Sequence, residues 1–320
     1  MKTTRIIATG AYLPKCQVSN DDLAKFIDTS DEWIASRTGI RSRHVVREEH
    51  CSDLAVEAAR EALKNSGYQA SDIDLIIVAT CSTDYNFPNI ACLVQKELNI
   101  GGIAFDVSAA CSGYLVALHT AHTYIITGLA KRAIVIGAEA LSRLVDWKDR
   151  TTCVLFGDGA GATVLEASNQ GILALMQGAN GAGGDCLISP NPNQLSGLYE
   201  KNNLPAYISM RGQDVFKFAV TKVPECIGEL LKEREENLDD IKYFVLHQAN
   251  SRILESVAKR IKQPIEKFPM NLDKVGNTSA ASIPLLLNEM NRKGMLNRGD
   301  KIVLAGFGAG LTWGATLLTW

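Results

Sequence analysis

The chain carries one framework twice, with different reactive residues on each copy. Asp72-Ile73-Asp74-Leu75-Ile76-Ile77-Val78 reads like Asp240-Ile241-Lys242-Tyr243-Phe244-Val245-Leu246, and Leu63-Lys64 precedes the first run as Leu231-Lys232 precedes the second, at an offset of 168 residues. The same offset carries Ile134-Val135-Ile136 onto Ile302-Val303-Leu304 and Gly10-Ala11 onto Gly178-Ala179. Gly161-Ala162-Thr163-Val164-Leu165 recurs as Gly314-Ala315-Thr316-Leu317-Leu318 at an offset of 153, so the first half holds about 15 extra residues near 141–155. Solenoid repeats run roughly 20 to 50 residues. A period this long marks a duplicated domain, with an N-terminal half over 1–170 and a C-terminal half over 171–320.

Each half reads as strand, helix, strand, helix, strand. The apolar runs Leu75 to Ala79 and Ala133 to Gly137 are unbroken. A strand with one wet face alternates, so unbroken runs imply parallel strands covered on both sides. Leu54, Ala55, Ala58, Ala59, Ala62 and Leu63 have helical spacing, with Ser52 as the expected cap. Ser112 to Thr127 reads as a longer, more apolar and buried helix. Two such α/β halves, with helices packed between their sheets, predict a duplicated five-layered α-β-α-β-α fold with pseudo-twofold symmetry. Its reactive loops should converge where strand ends of both halves meet, because ligands of α/β sheets sit beyond the carboxyl ends of the strands. Gly178 to Asn203, rich in Gly, Asn and Pro, is the longest stretch expected to be irregular.

Composition narrows the function. A net charge of −2 with no dense basic run opposes general nucleic-acid binding, which needs a concentrated cationic footprint. The first residues enter a strand-like run without a secretory apolar region, and no stretch reaches the roughly 18 apolar residues of a membrane span, so a cytoplasmic protein is expected. Eight cysteines contain no Cys-x-x-Cys pair, which signals neither a zinc site nor a disulfide framework.

Among those cysteines Cys111 stands apart, between a strand (103–107) and the buried helix, where helix amides and dipole should lower its pKa. Its counterpart at the repeat offset is Ser279. His247 directly follows the strand at 243–246, where the first half has Ala79, and Asn277 lies on the turn that matches the Cys111 turn. A nucleophilic cysteine, an imidazole and an amide thus arise from equivalent strand ends and can share one pocket.

Cys111 in Ala109-Ala110-Cys111-Ser112-Gly113, His247 in His247-Gln248-Ala249-Asn250, Asn277 in Gly276-Asn277-Thr278-Ser279-Ala280-Ala281-Ser282 and the glycine loop Gly306 to Gly314 together resemble the β-ketoacyl-acyl-carrier-protein synthase III family. Those are initiating condensing enzymes of bacterial fatty-acid synthesis with the thiolase fold. Ser30-Asp31-Glu32-Trp33, Arg37-Thr38-Gly39-Ile40 and Phe156 to Gly161 share the likeness, which runs from residue 5 to 320. The resemblance implies decarboxylating condensation of a short acyl-CoA with malonyl-acyl-carrier protein, giving 3-oxoacyl-carrier protein, CoA and CO₂, in a homodimer without cofactor or metal. It implies that Cys111 carries the acyl group, that His247 and Asn277 stabilise the enolate left by decarboxylation, and that the backbone amides of Cys111 and Ala309 form an oxyanion hole. Ala309 stands where many relatives have glycine, a change that keeps the main-chain donor. Trp33 and Arg150 would sandwich the CoA adenine, Arg37 would meet phosphate and Asn250 would also contact CoA. Phe87 would close the acyl pocket across the dimer interface. Lys217, Arg252, Lys259 and Arg260 would dock an acidic carrier protein, although a solvated helix face explains them as simply.

Related families differ at nameable positions. Thiolases use a second, late cysteine, whereas the last one here is Cys226; elongating ketosynthases use a second histidine, and the C-terminal half has only His247. Hydroxymethylglutaryl-CoA synthases carry a glutamate where this chain has Cys81. A condensing enzyme or acyltransferase of secondary metabolism is the nearest rival reading, and a non-catalytic scaffold is a more distant one. Gly157 to Gly161 leads into a strand and reads as close backbone packing rather than a nucleotide loop. His119 and His122 lack further metal ligands nearby and read as core or interface residues.

Overall fold

The computed structural model describes residues 2–189 and 206–320. From the amino end, β1 (Thr3–Tyr12) leads to a ribbon of β2 (Cys16–Ser19) and β3 (Ser42–Val45), with α1 (Asn20–Leu23) and α2 (Asp31–Thr38) between them. The first half continues through α3 (Cys51–Ser66), β4 (Leu75–Ala79), α4 (Ile90–Leu98), β5 (Ile103–Val107), α5 (Gly113–Ile126), β6 (Arg132–Glu139) and β7 (Gly159–Ser168). The second contains β8 (Ile172–Ala179), β9 (Leu187–Ile188), β10 (Ser209–Met210), α6 (Gly212–Glu233), β11 (Tyr243–Leu246), α7 (Ser251–Arg260), α8 (Leu272–Val275), α9 (Ser282–Arg292), β12 (Lys301–Gly308) and β13 (Thr312–Thr319).

One sheet runs β1-β7-β6-β4-β5 and the other β11-β12-β13-β8. Because side chains alternate across a strand, each apolar run feeds two cores at once. Ile76 and Val78 of β4 meet α3 and α4 on the outside, whereas Leu75 and Ile77 face α5. On the second sheet Phe244 and Val303 face α6 and α7, and Val245, Ile302 and Leu304 face inward. Helices α5 and α9 fill the space between the sheets, which gives the five expected layers. Helix α5 is apolar because both its sides are covered; Tyr114, its largest fully buried side chain, shares a 2.9 Å hydrogen bond with Thr163 Oγ1.

The strand ladders refine the repeat. Leu75 faces Ala133 and Tyr243 faces Ile302, so β4 maps onto β11 at 168 but β6 onto β12 at 169. The likeness of Ile134 to Ile302 is thus one residue out of register. Gly10 faces Ala162, whose counterpart Ala315 faces Met176, so the Gly10 to Gly178 likeness is two residues out. Chemically similar neighbours permit such slips in a sequence comparison, and only the hydrogen-bond ladder resolves them. The extra residues of the first half lie between β6 and β7, where 140–158 replaces the short turn 309–311.

Two local readings also change. Ser52 sits in the first turn of α3 and is not its cap: His50 holds that position, the Asp53 carboxylate accepts the His50 amide at 2.7 Å, and Asp84 accepts the amides of Cys51 and Ser52. Of the stretch expected to be irregular, Gly178 and Ala179 end β8, residues 181–186 form a 3₁₀ turn and β9 pairs with β10, while 190–203 lie outside the described residues. Gly161 packs as expected, since a Cβ there would lie 2.5 Å from the Leu285 amide.

Candidate active site

Cys111 occupies a 3₁₀ turn, Ala110–Ser112, that joins β5 to α5, and only 8% of the residue is exposed. The turn is entered through Ala110 in the left-handed region, φ 45°, a conformation that costs a non-glycine residue about 1 kcal/mol. Surrounding contacts hold it there. Ser112 Oγ donates to Ala109 O and to Thr312 Oγ1, both at 2.8 Å, and Thr312 Oγ1 donates to Ala309 O at 3.0 Å. Gly308 lies so close that a Cβ there would meet the Cys111 amide nitrogen at 2.7 Å. The β12–β13 loop that carries Ala309 is therefore pressed against the cysteine turn, and only glycine permits the approach.

Opposite stands the matching turn Ser279–Ala281, also entered in the left-handed region, with φ 46° at Ser279. Ala110 and Ser279 are thus equivalent, and the counterpart of Cys111 is Ala280 rather than Ser279. Ala280 packs toward Gly113, and its carbonyl closes on Gly137, where a Cβ would come within 2.2 Å. Asn277 precedes this turn. Its Oδ1 accepts the Ser279 amide at 2.9 Å, and since an amide N–H can only donate, that bond fixes the rotamer and leaves Nδ2 as the donor end. Its backbone is anchored to the inserted segment through Asn277 N to Leu155 O, 2.8 Å, and Gly157 N to Asn277 O, 3.0 Å.

His247 follows β11 and is buried. Its Nδ1 shares a 2.7 Å hydrogen bond with Ser282 Oγ, and its ring stands edge-on to Phe307 at 5.3 Å. Burial pulls its pKa down to about 3, so the imidazole is neutral. Ser282 Oγ also accepts the Gln248 amide at 3.3 Å; with the Ser282 proton turned toward Nδ1, the imidazole hydrogen sits on Nε2.

The thiol departs from the sequence reading. Desolvation pushes Cys111 up to about 12; the nearby Ser279 hydroxyl and the cysteine's own amide pull the other way, while Glu139 raises it further. The helix proper starts two residues later, at Gly113. Desolvation outweighs the dipole, and Cys111 is a thiol.

Trp33 sits in the first turn of α2, whose cap Ser30 Oγ accepts the Trp33 amide at 3.1 Å; the helix stops at Gly39, φ 80°. Both cations reach the indole, Arg37 at 4.7 Å and Arg150 at 5.1 Å from its centroid. A flat ring between indole and guanidinium needs roughly 7 Å, so Arg150 has to swing out, breaking an exposed ion pair with Asp28. Asn250 caps α7 by accepting the Arg252 amide and donates to Arg37 O at 3.0 Å, which ties α7 to α2. Phe87 is 86% exposed. Arg252 and Lys259 project from α7 without ion pairs among the described residues. Arg260 donates to Val220 O, next to Thr221, and Thr221 and Lys217 line the same cavity of about 580 Å³ on the outer face of α6. His119 bonds Thr316 Oγ1 and Gln177, and His122 bonds Thr4, as core residues do. Among the described residues no cluster could hold a metal ion.

Sequence reasoning missed the buried Glu139, Ser279 and Ser282. Only the fold shows that these polar residues turn inward.

A duplicated α-β-α-β-α fold whose halves meet over a cysteine-bearing turn is the architecture of thiolase-fold acyltransferases. The model of 3-oxoacyl-[acyl-carrier-protein] synthase III matches residues 105–181, and that of its C-terminal part matches 231–320. A β-ketoacyl-[acyl-carrier-protein] synthase III of Clostridium botulinum strain 657 is 47% identical over 324 residues, covering 100% of this chain and 99% of that protein. The crystal structure of 3-oxoacyl-[acyl-carrier-protein] synthase III from Aquifex aeolicus superposes with a TM-score of 0.93 at 45% identity, over 99% of this chain and 100% of that one. The Thermus thermophilus enzyme gives 0.93 at 41% identity, over 99% of each chain. The chain belongs to the β-ketoacyl-[acyl-carrier-protein] synthase III family, the condensing acyltransferases that initiate fatty-acid synthesis.

Proposed function

We propose that the protein joins a short acyl-CoA to malonyl-acyl-carrier protein, giving 3-oxoacyl-carrier protein, CoA and CO₂, with Cys111, His247 and Asn277 as catalytic residues. The observation that carries this reading is the apposition of two equivalent turns from opposite halves, one holding a thiol and the other a free amide. Cys111 gives its thiol proton to solvent as its sulfur attacks the thioester carbonyl, the carbonyl–sulfur bond to CoA breaks, the CoA thiolate takes a proton from solvent, and the acyl group stays on the cysteine sulfur. Malonyl thioester then loses CO₂. The Nε2 hydrogen of neutral His247 and the Nδ2 of Asn277 donate to the enolate oxygen, so no metal is needed to hold that charge. The carbanion attacks the acyl carbon, and the amides of Cys111 and Ala309 hold the oxyanion until Cys111 departs as thiolate.

Trp33, Arg37, Arg150 and Asn250 make the CoA site in this reading, supported by the two guanidiniums already gathered on the indole. Lys217, Arg252, Lys259 and Arg260 form the carrier dock, supported by their shared position on the packed pair α6 and α7. The homodimer forms along the β5 edge. Exposed Tyr85, Phe87, Ile103, Ile126 and Leu129 are apolar, and an uncovered edge strand invites pairing. Phe87 of one copy then closes the acyl pocket of the other. The reaction draws on no resident cofactor. Among the described residues no helix is long and apolar enough to cross a membrane, and the protein works in the cytoplasm.

Acetyl-CoA should load one acetyl group on Cys111, visible by peptide mass spectrometry, and malonyl-carrier protein should discharge it as 3-oxoacyl product. An acetyl group on another cysteine would overturn the assignment, and a panel of acyl-CoA primers would define chain length and branching.

A further inference from the structure

Beside the site lies a guanidinium that the mechanism above does not use. Arg43 of β3 is fully buried and pairs with no carboxylate among the described residues. Burial pulls its pKa down to about 10, so it stays charged at neutral pH. An apolar side chain of similar volume fills such a space at lower cost. What sets Arg43 apart is where its fork reaches. Nη1 donates to Asn20 Oδ1 at 2.8 Å and to Val18 O at 3.3 Å, and Nη2 donates to Val154 O at 2.7 Å. Asn20 extends the first arm, since its Nδ2 donates at 2.9 Å to Asp31 in the first turn of α2, the helix of Trp33 and Arg37. The second arm enters the inserted segment. Val154 follows Arg150 there, and the next carbonyl, Leu155 O, accepts the Asn277 amide at 2.8 Å. The stem is pinned too: a Cβ on Gly157 or Gly276 would lie 3.1 or 3.2 Å from the Arg43 Cβ, so only glycine at both places lets the arginine run this close to the Asn277 turn.

We propose that Arg43 is a positioning residue for the reaction, whose fork sets the two walls of the CoA site and the Asn277 amide as one unit. This rests on the reading that Trp33, Arg37 and Arg150 hold CoA and that Asn277 stabilises the enolate. One nitrogen of the fork fixes the arm that leads to α2. The other fixes the segment that carries both Arg150 and the backbone partner of Asn277. A planar guanidinium presents donors in two set directions at once, whereas an ammonium is a single point. The Cys111 turn lies outside this unit, because its own contacts run to Thr312, Ala309 and Gly308. Arg43 therefore governs CoA binding and decarboxylation, and leaves the attack of the thiol alone.

The test is Arg43→Lys, which keeps the charge and loses the fork, measured in three ways on protein of known melting temperature. KM for acetyl-CoA should rise about three- to tenfold, as for a weakened stacking contact. Release of CO₂ from carboxyl-labelled malonyl-carrier protein should slow roughly tenfold, part of the cost of a lost oxyanion donor. Single-turnover acetylation of Cys111 at saturating acetyl-CoA should stay within a few-fold of the wild type. Asn20→Ser cuts the α2 arm alone, so it should raise KM for acetyl-CoA and spare decarboxylation, which keeps the test intact if Arg43→Lys does not fold. A residue that served only the fold would lower the melting temperature and leave KM and CO₂ release as they were. That result in Arg43→Lys, or wild-type KM in Asn20→Ser, or an equal fall of acetylation and decarboxylation, overturns the inference. Decarboxylation at the wild-type rate in Asn277→Ala instead overturns the role given to Asn277.

Discussion

The two turns that face each other across the pseudo-twofold axis share a backbone and divide the chemistry. Both are 3₁₀ turns entered through a left-handed residue, Ala110 or Ser279, and both lead into a buried helix. Around them four equivalent positions differ: Ala79 against His247, Ser108 against Asn277, Cys111 against Ala280 and Glu139 against Gly308. The first half carries the thiol and a carboxyl behind it. The second carries the donors and a glycine that lets its loop close on the thiol. Duplication supplied two copies of a strained turn, and each became useful by losing what the other kept.

The strongest challenge to this division is to move the nucleophile. Cys111→Ala should lower acetyl transfer and condensation by roughly 10⁴-fold or more, since no other group takes the acyl chain. Adding Ala280→Cys should restore nothing measurable with labelled acetyl-CoA, because the Ala280 side chain is buried against Gly113. Gly308→Ala comes next. Its Cβ would lie 2.7 Å from the Cys111 amide, so the two turns have to part: steady-state condensation should fall by about 10²-fold, and the unfolding temperature should drop with it.

A smaller effect concerns pH. His247 has a folded pKa of about 3 against 6.5 as its ordinary value. Between those values the unfolded chain binds a proton that the folded protein excludes, so stability falls as pH drops below about 6.5, by up to about 1.4 kcal/mol per unit. Urea midpoints from pH 7.5 to 4.5 should therefore fall less steeply in His247→Gln than in the wild type. Arg252→Glu should have the mildest consequence. KM for malonyl-carrier protein should rise about three- to tenfold and lose part of its salt dependence, while acyl-CoA exchange stays as it was. Equal weakening of both substrates would assign Arg252 to the CoA site or the fold.

Much of this was legible before any coordinates. Cys111, His247 and Asn277 stand out because each breaks a repeated frame at a strand end, where a duplicated core has no use for them. Their helpers do not stand out. Glu139 carries no signal in the sequence, and Ser279 and Ser282 figure there only as a repeat counterpart and a motif member, because burial is decided by packing between halves that are distant in sequence. The repeat offset misled by one residue at β6 and by two at β1, since neighbouring Ile, Val, Gly and Ala are interchangeable in a pattern but not in a ladder. The protonation state of Cys111 was misjudged for a related reason: a helix terminus is visible in sequence, whereas the desolvation that outweighs it is not.

The division of labour between the halves is tested most directly by separating the two half-reactions in His247→Ala and Asn277→Ala. Single-turnover acetylation of Cys111 should proceed within a few-fold of the wild-type rate in both variants, while decarboxylation of malonyl-carrier protein falls by roughly 10²-fold or more, the typical cost of one lost oxyanion donor. If acetylation and decarboxylation fall together by the same factor in a protein that melts normally, the second turn serves both steps and the division described here is wrong.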